Sequence, residues 1–258
     1  MFFDSHVHFD SFVKKGLLDE MLERAQQEHV LEMMAIGGGD EENLLSLRLA
    51  KEYPNRIYSC VGFDRDLALE DPDFDRLSAL LSDPLVKGVG EIGLDYFYAK
   101  KSAIEQKKLF EKNLQLALQF QKPVVLHSRD ADEDTLAILT DFAKAWKGRP
   151  DALGVLHCFT RGKDQARALL DLGFMISFSG IVTFANADPL RSVVPYIPDD
   201  RLLIETDSPY LAPSLQRGKR NEPAFVFHVA KQLAELRGNP LELLANLTTK
   251  NARYLFAL

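Results

Sequence analysis

Short apolar runs recur along the chain at intervals of roughly 20 to 35 residues, and between them the apolar positions spread to a helical period. The runs predict strands at 2–6, 33–36, 57–62, 88–92, 123–127, 154–158, 173–178 and 201–205. Helical patterning fills the intervals at 17–29, 41–52, 74–82, 103–121, 134–146, 163–171, 187–194 and 222–237, with a last stretch at 240–256. In 103–121 the positions Ile104, Leu109, Phe110, Leu114, Leu116, Ala117 and Phe120 form an apolar face, and Glu105, Lys107, Lys108, Glu111 and Lys112 fall largely off it. Strands alternating with helices of this length imply βαβ units and a parallel sheet. Eight such units in this length imply a single-domain (β/α)8 TIM barrel over residues 1–258, with its chemistry at the C-terminal face. The competing arrangement is an open doubly wound sheet. No glycine-rich phosphate loop follows the first strand, however, and Gly37, Gly38 and Gly39 after the second lack the Lys-Ser/Thr ending of a P-loop, so they read as a backbone turn.

Composition narrows the class further. At 258 residues and 46% hydrophobic the chain can bury one sizeable core. Its two cysteines, Cys60 and Cys158, each lie in an apolar run, which predicts buried free thiols and a reducing, cytoplasmic home. The chain enters a strand at once with no leader-like opening, no window approaches a membrane span, and nothing calls for an obligate protein partner. A net charge of −7 argues against a protein that coats nucleic acid. It leaves room for an enzyme that holds an anion with metals and a few local cations.

The candidate chemistry lies at strand ends. The first predicted strand ends in His6-Val7-His8, and alternation on a strand sends both imidazoles to one side. The fourth ends at Glu91, the fifth at His127 and the sixth at His157, and Asp207 follows the eighth. Four of the chain's six histidines thus fall at predicted strand ends, while His29 and His228 fall on helices. Taken singly, each is as well explained as a satisfied core or surface group; jointly they predict a metal site. Imidazoles with bridging carboxylates suit zinc, manganese, iron, cobalt or nickel, and magnesium is not excluded. Six ligands exceed the three protein groups of one catalytic zinc, so two divalent ions about 3.5–4 Å apart are expected. Two such ions, two carboxylates and four neutral imidazoles leave a net +2, which favours an anionic transition state such as a phosphodiester under attack.

Several segments resemble the TatD family of metal-dependent hydrolases. They are His6-Val7-His8-Phe9-Asp10, Val89-Gly90-Glu91-Ile92-Gly93-Leu94-Asp95, Pro123-Val124-Val125-Leu126-His127-Ser128-Arg129, His157-Cys158-Phe159 and Glu205-Thr206-Asp207-Ser208-Pro209-Tyr210. Arg217-Gly218-Lys219-Arg220-Asn221-Glu222-Pro223 and Asn251-Ala252-Arg253-Tyr254-Leu255-Phe256 complete a match that runs in order from residue 4 to residue 256. The resemblance implies a (β/α)8 barrel. It assigns His6, His8, Glu91 and Asp207 to a first metal and Glu91, His127 and His157 to a second, with Glu91 bridging. It also implies divalent-metal-dependent DNA hydrolysis, often 3′ to 5′ exonuclease action, with zinc, manganese, nickel or magnesium as the ions. One departure stands out: the family's Gly-Leu-His-Pro run is Gly62-Phe63-Asp64-Arg65 here. Asp64 replaces a histidine expected to help hold the substrate phosphate, and Arg65 is placed to restore the lost positive charge.

The expected reaction is phosphoester hydrolysis, with metal lowering the pKa of bound water to about 7 to give the nucleophile. Asp207 is the expected ligand and proton acceptor. Glu205, two residues earlier, faces the same side and is the candidate support for a histidine or for the attacking water, with Asp95 and Ser128 in similar roles. Arg129 is the candidate phosphate contact by its bidentate donors, with Asp64, Arg65, Lys219 and Arg220 as further substrate-side candidates. The transient partner is a phosphoester or nucleic acid. A rival reading is amide, ester or lactone hydrolysis on the related amidohydrolase barrel, many of whose members bridge two metals with a modified lysine where this chain has Glu91. A third is a barrel with a vestigial site that serves only to bind a partner.

Overall fold

The computed structural model describes residues 1–258. Eight parallel strands pair in chain order: β1 (Phe2–Val7), β2 (Val30–Ile36), β3 (Ile57–Val61), β4 (Val86–Asp95), β5 (Val124–Arg129), β6 (Gly154–Leu156), β7 (Met175–Phe178) and β8 (Leu202–Ile204). The ring is drawn shut beyond β8, where Asp207 N donates to His6 O at 3.1 Å and His8 N donates to Ser208 O at 2.9 Å. This is the expected (β/α)8 barrel. A buried cluster that includes Phe3, Met34, Cys60, Val125, Met175 and Leu203 draws on strands around the barrel, and Ala252, Leu255 and Phe256 of the last helix (Leu241–Phe256) join it. The larger cluster lies between strands and surrounding helices. No helix is long and apolar enough to cross a membrane.

Three expectations are corrected. The stretch 187–194 is not one helix: it breaks into a four-residue helix, Asp188–Arg191, and a 3-10 turn, Val194–Tyr196. Pro195, one residue beyond that stretch, sits inside the 3-10 turn and has no N–H with which to carry an α-helical ladder onward. Strand β4 runs to Asp95, past the expected end at 92, because glycines relieve crowding against β5: a Cβ on Gly93 would lie 1.9 Å from His127 O, and one on Gly90 2.5 Å from Val125 O. Both glycines also sit at positive φ, 132° and 145° for Gly90 and Gly93. Finally, Ile104 is 63% exposed and does not join the buried face of the helix Ala103–Phe120.

That face buries two amides instead, Gln106 and Asn113. Gln106 Oε1 accepts from Asp95 N at 2.8 Å while its Nε2 donates to Asp95 O. Asn113 makes the same reciprocal pair with the backbone of Phe63, at 3.0 and 3.1 Å. Asn43 does so with Gly62, both bonds at 2.9 Å. The loop that carries Asp64 and Arg65 and the strand end at Asp95 are therefore tied down by buried side chains whose hydrogen-bonding capacity is used on backbone. The glycine turn after β2 contributes too, Gly37 O accepting from Glu91 N and Gly38 O from Asp64 N, both at 2.9 Å.

Candidate metal centre

The strand ends bring the six expected ligands to one rim, in two sets of donor atoms. In the first, His6 Nε2 and His8 Nε2 lie 3.1 Å apart, and both face Glu91 Oε2, at 3.3 and 3.5 Å, and Asp207 Oδ1, at 3.7 and 3.5 Å. A tetrahedral ion with ligands at 2.0–2.1 Å has ligand–ligand edges of about 3.3–3.4 Å, close to the spacings that the two imidazoles make with each other and with each carboxylate oxygen. In the second set, Glu91 Oε1 lies 3.1 Å from His127 Nδ1 and 3.3 Å from His157 Nε2, and the two imidazole nitrogens are 3.3 Å apart. Three protein donors at this spacing fit an ion that keeps a position for water or substrate. Glu91 turns one oxygen to each set. His6 and His157 stack with ring centroids 4.0 Å apart, which brings the sets side by side.

Supporting groups fix the imidazoles. Asp95 Oδ2 lies 3.0 Å from His127 Nε2, and Glu205 Oε1 lies 3.3 Å from His157 Nδ1 while accepting from Cys158 N at 2.7 Å. Such contacts set which ring nitrogen is free to bind a cation. Asp4, fully buried below the rim, accepts from Thr206 N at 2.9 Å and Thr206 Oγ1 at 2.6 Å, holding the β8 extension that carries Asp207. Burial pushes its carboxyl up to about 8 against those hydrogen bonds. Ser128, proposed as support, instead bonds Thr135 Oγ1 at 3.0 Å.

The electrostatics match a site built for cations. Burial alone would raise the carboxyl of Glu91, yet His157 and His127 hold it well below the usual range. Burial likewise opposes charge on Asp207, and His8 and His6 hold it below. Burial disfavours a proton on every imidazole of the cluster. His6, further crowded by His157, is lowered, whereas Asp207 and Glu91 push His8 up to about 10 and Glu91 raises His157 well above its ordinary value. Buried carboxylates thus require positive charge on their neighbours, either as protons or as metal.

The rim opens into a cavity of about 950 Å³ whose wall includes His8, Glu91, His127, His157 and Asp207. Three guanidinium groups also line it, those of Arg65, Arg129 and Arg161. Arg65 donates to Asp64 Oδ2 at 2.5 Å and to Glu91 Oε1 at 2.7 Å, and Arg161 donates to Asp130 and Asp132 at 3.1 and 3.0 Å. Burial and the charge of Glu91 push the Asp64 carboxyl up to about 7. Lys219 and Arg220 are not on this wall: Lys219 Nζ donates to Gln216 at 2.9 Å, and the Arg220 guanidinium lies 5.8 Å from the Phe12 ring. Cys60 is a buried free thiol as expected, but Cys158 is only partly buried and lines the cavity. Sequence reasoning missed Phe97 and Tyr98 on the wall; their signal was the aromatic run Tyr96-Phe97-Tyr98 directly after Asp95.

Comparison with known proteins shows the family. The family model described as TatD related DNase matches residues 3–257. A protein of Escherichia coli (strain K12) named "Uncharacterized metal-dependent hydrolase YcfH" is 43% identical over 257 residues, covering 98% of this chain and 94% of its own. The "3'-5' ssDNA/RNA exonuclease TatD" of Edwardsiella piscicida is 38% identical over 252 residues, 94% of each chain. The crystal structure of YJJV, a TatD homolog from Escherichia coli K12, superposes with a TM-score of 0.90 at 29% identity, covering 100% of this chain and 98% of that one. With the family model spanning almost the whole chain and the donor sets at the strand ends, this chain belongs to the TatD-related DNase family, as a metal-dependent hydrolase.

Proposed function

We propose that the chain hydrolyses phosphodiester bonds in nucleic acid, in the manner of a 3′ to 5′ exonuclease, using two divalent ions. The observation that carries this reading is Glu91, whose two oxygens face two separate donor sets. Zinc, manganese, nickel or magnesium held by His6, His8, Glu91 and Asp207 and by Glu91, His127 and His157 supplies Lewis acidity toward phosphoryl oxygens and lowers the pKa of water.

The chain's own groups do the rest. Asp207 turns Oδ1 to His6 and His8, leaving Oδ2 to orient the attacking water and take its proton. Glu205 is a positioning residue: its Oε1 is taken by His157 and Cys158 N, so it acts through the imidazole. Arg129 is the guanidinium of the cavity wall without a carboxylate partner and is the one free to fork onto a phosphate. The exonuclease name of the Edwardsiella piscicida relative supports the polymer substrate and its polarity.

The test is a screen of metal-reconstituted enzyme against a labelled single-stranded oligonucleotide, methyl p-nitrophenyl phosphate, and a panel of lactones and amides. Stepwise loss of 3′ nucleotides is the expected result. Turnover confined to lactones or amides would overturn the reading in favour of amidohydrolase-type chemistry.

A further inference from the structure

One part of the cavity wall carries two aromatic rings, Phe97 and Tyr98, that bond cleavage does not use. Asp95, at the end of β4, accepts through Oδ1 from Phe97 N at 2.9 Å and Tyr98 N at 3.0 Å, while its Oδ2 faces His127. The same carboxylate that orients a metal-binding imidazole therefore sets the turn bearing two aromatic rings. Tyr96 pins that turn from below, its hydroxyl donating to Asp134 at 2.7 Å. Phe97 is 55% exposed and Tyr98 74% exposed, yet both line the cavity. Their rings meet edge to face, centroids 4.8 Å apart at 89°. The Arg129 guanidinium lies 3.9 Å from the Phe97 centroid and 4.8 Å from that of Tyr98.

A fixed pair of exposed aromatic rings offers an apolar, planar partner a surface to stack on. A guanidinium resting on such rings with no carboxylate holding it keeps its donors for an anion. Arg65 and Arg161, the other guanidinium groups of the cavity, are both tied to aspartates. Arg129 also follows His127 by two residues on β5, about 6.6 Å along the strand, so the anion it grips lies next to the reacting centre. Planar aromatic surface beside a phosphate donor is the combination that recognises a nucleotide in a single strand. A base inside a duplex has both faces already covered.

We infer that Phe97, Tyr98 and Arg129 form a subsite that stacks an unpaired base and grips the phosphate neighbouring the one being cleaved. The inference rests on the phosphodiesterase reading above and adds the groups that meet the base, which ring faces read with little regard to base identity.

The test compares metal-loaded wild type with the double variants Phe97→Ala/Tyr98→Ala and Phe97→Leu/Tyr98→Leu, the second keeping bulk without a π face. Fluorescence anisotropy measures Kd for a phosphorothioate single-stranded octamer and for its abasic counterpart. Wild type should prefer the base-containing strand by about tenfold, and both variants should lose that preference. The ratio of kcat/KM for an oligonucleotide over methyl p-nitrophenyl phosphate should fall by a similar factor. If wild type cleaves oligonucleotides but the variants keep the preference for bases, the subsite is wrong and the phosphodiesterase reading stands. If wild type neither binds nor cleaves oligonucleotides while hydrolysing lactones or amides, both fall together.

Discussion

The Arg65 guanidinium donates to Glu91 Oε1 at 2.7 Å, the same oxygen that His127 and His157 approach. A resident cation thus already stands beside the second donor set. Like charges this close repel by well over 1 kcal/mol at a protein surface dielectric. Arg65→Ala should therefore tighten the second divalent ion by about tenfold in calorimetric titration while weakening turnover of phosphodiesters. Equal metal affinities in the two proteins would show that the guanidinium swings clear when the ion enters.

Asp64 and Arg65 neutralise one another in part, so the site gains less from Arg65 than its full charge. Asp64→His removes a carboxyl next to the expected phosphate and releases the guanidinium from one of its carboxylate partners, Glu91 remaining. Turnover of single-stranded oligonucleotides should rise by about tenfold, most clearly in KM. An unchanged KM would mean that Arg65 compensates fully for the residue the family usually carries.

Asp207→Asn keeps the shape of the side chain but loses its basicity and much of its hold on the ion. Phosphodiester turnover should fall by about 10²- to 10⁴-fold, while the thermal transition stays close to that of wild type because the backbone closure through Asp207 N and His6 O is untouched. Retained activity would remove Asp207 from the reaction.

Glu205→Gln should lower metal affinity or activity by about 10- to 100-fold through His157, whose Nδ1 it faces. Zinc or manganese titration separates this from a general loss of fold, since affinity at the second donor set should move more than at the first.

In the metal-free protein Asp207 and Glu91 hold the His8 proton up to about 10, against an ordinary imidazole value near 6.5. A raised folded-state pKa means that the protonated form favours folding. The contribution is complete below pH 6.5 and is lost as pH climbs toward 10. Chelator-treated protein should accordingly melt at lower temperature as pH rises across that window. Metal affinity should move the other way, because binding expels the proton, and calorimetry in buffers of different ionisation enthalpy reads the proton released.

The fold, and the meeting of six candidate ligand residues at one rim, were legible because each depends on period and position. Apolar runs gave the strands, and six ligand residues stood where strands end or just beyond. Most of what escaped depends on contacts between distant segments. Cys158 reads as an apolar-run thiol, yet its backbone bends to give its N–H to Glu205 and its side chain reaches the cavity. Phe97 and Tyr98 drew no reading at all, because nothing in the run Tyr96-Phe97-Tyr98 says which way the rings face; that is set locally, by the cap that Asp95 forms on their backbone. Lys219 and Arg220 carried charge in a family motif, but the path of their loop takes them off the wall.

The helix Ala103–Phe120 acts as a ruler. Gln106 and Asn113 are seven residues apart, close to two turns, so the two backbone clamps sit about 10.5 Å apart along one face. One grips the strand end that orients His127, and the other grips the loop that delivers Asp64 and Arg65. A single residue inserted between them would rotate one amide by about 100° and release one of the two loops. The separation between the imidazole side and the guanidinium side of the site is thus encoded in a helix that touches neither metal nor substrate.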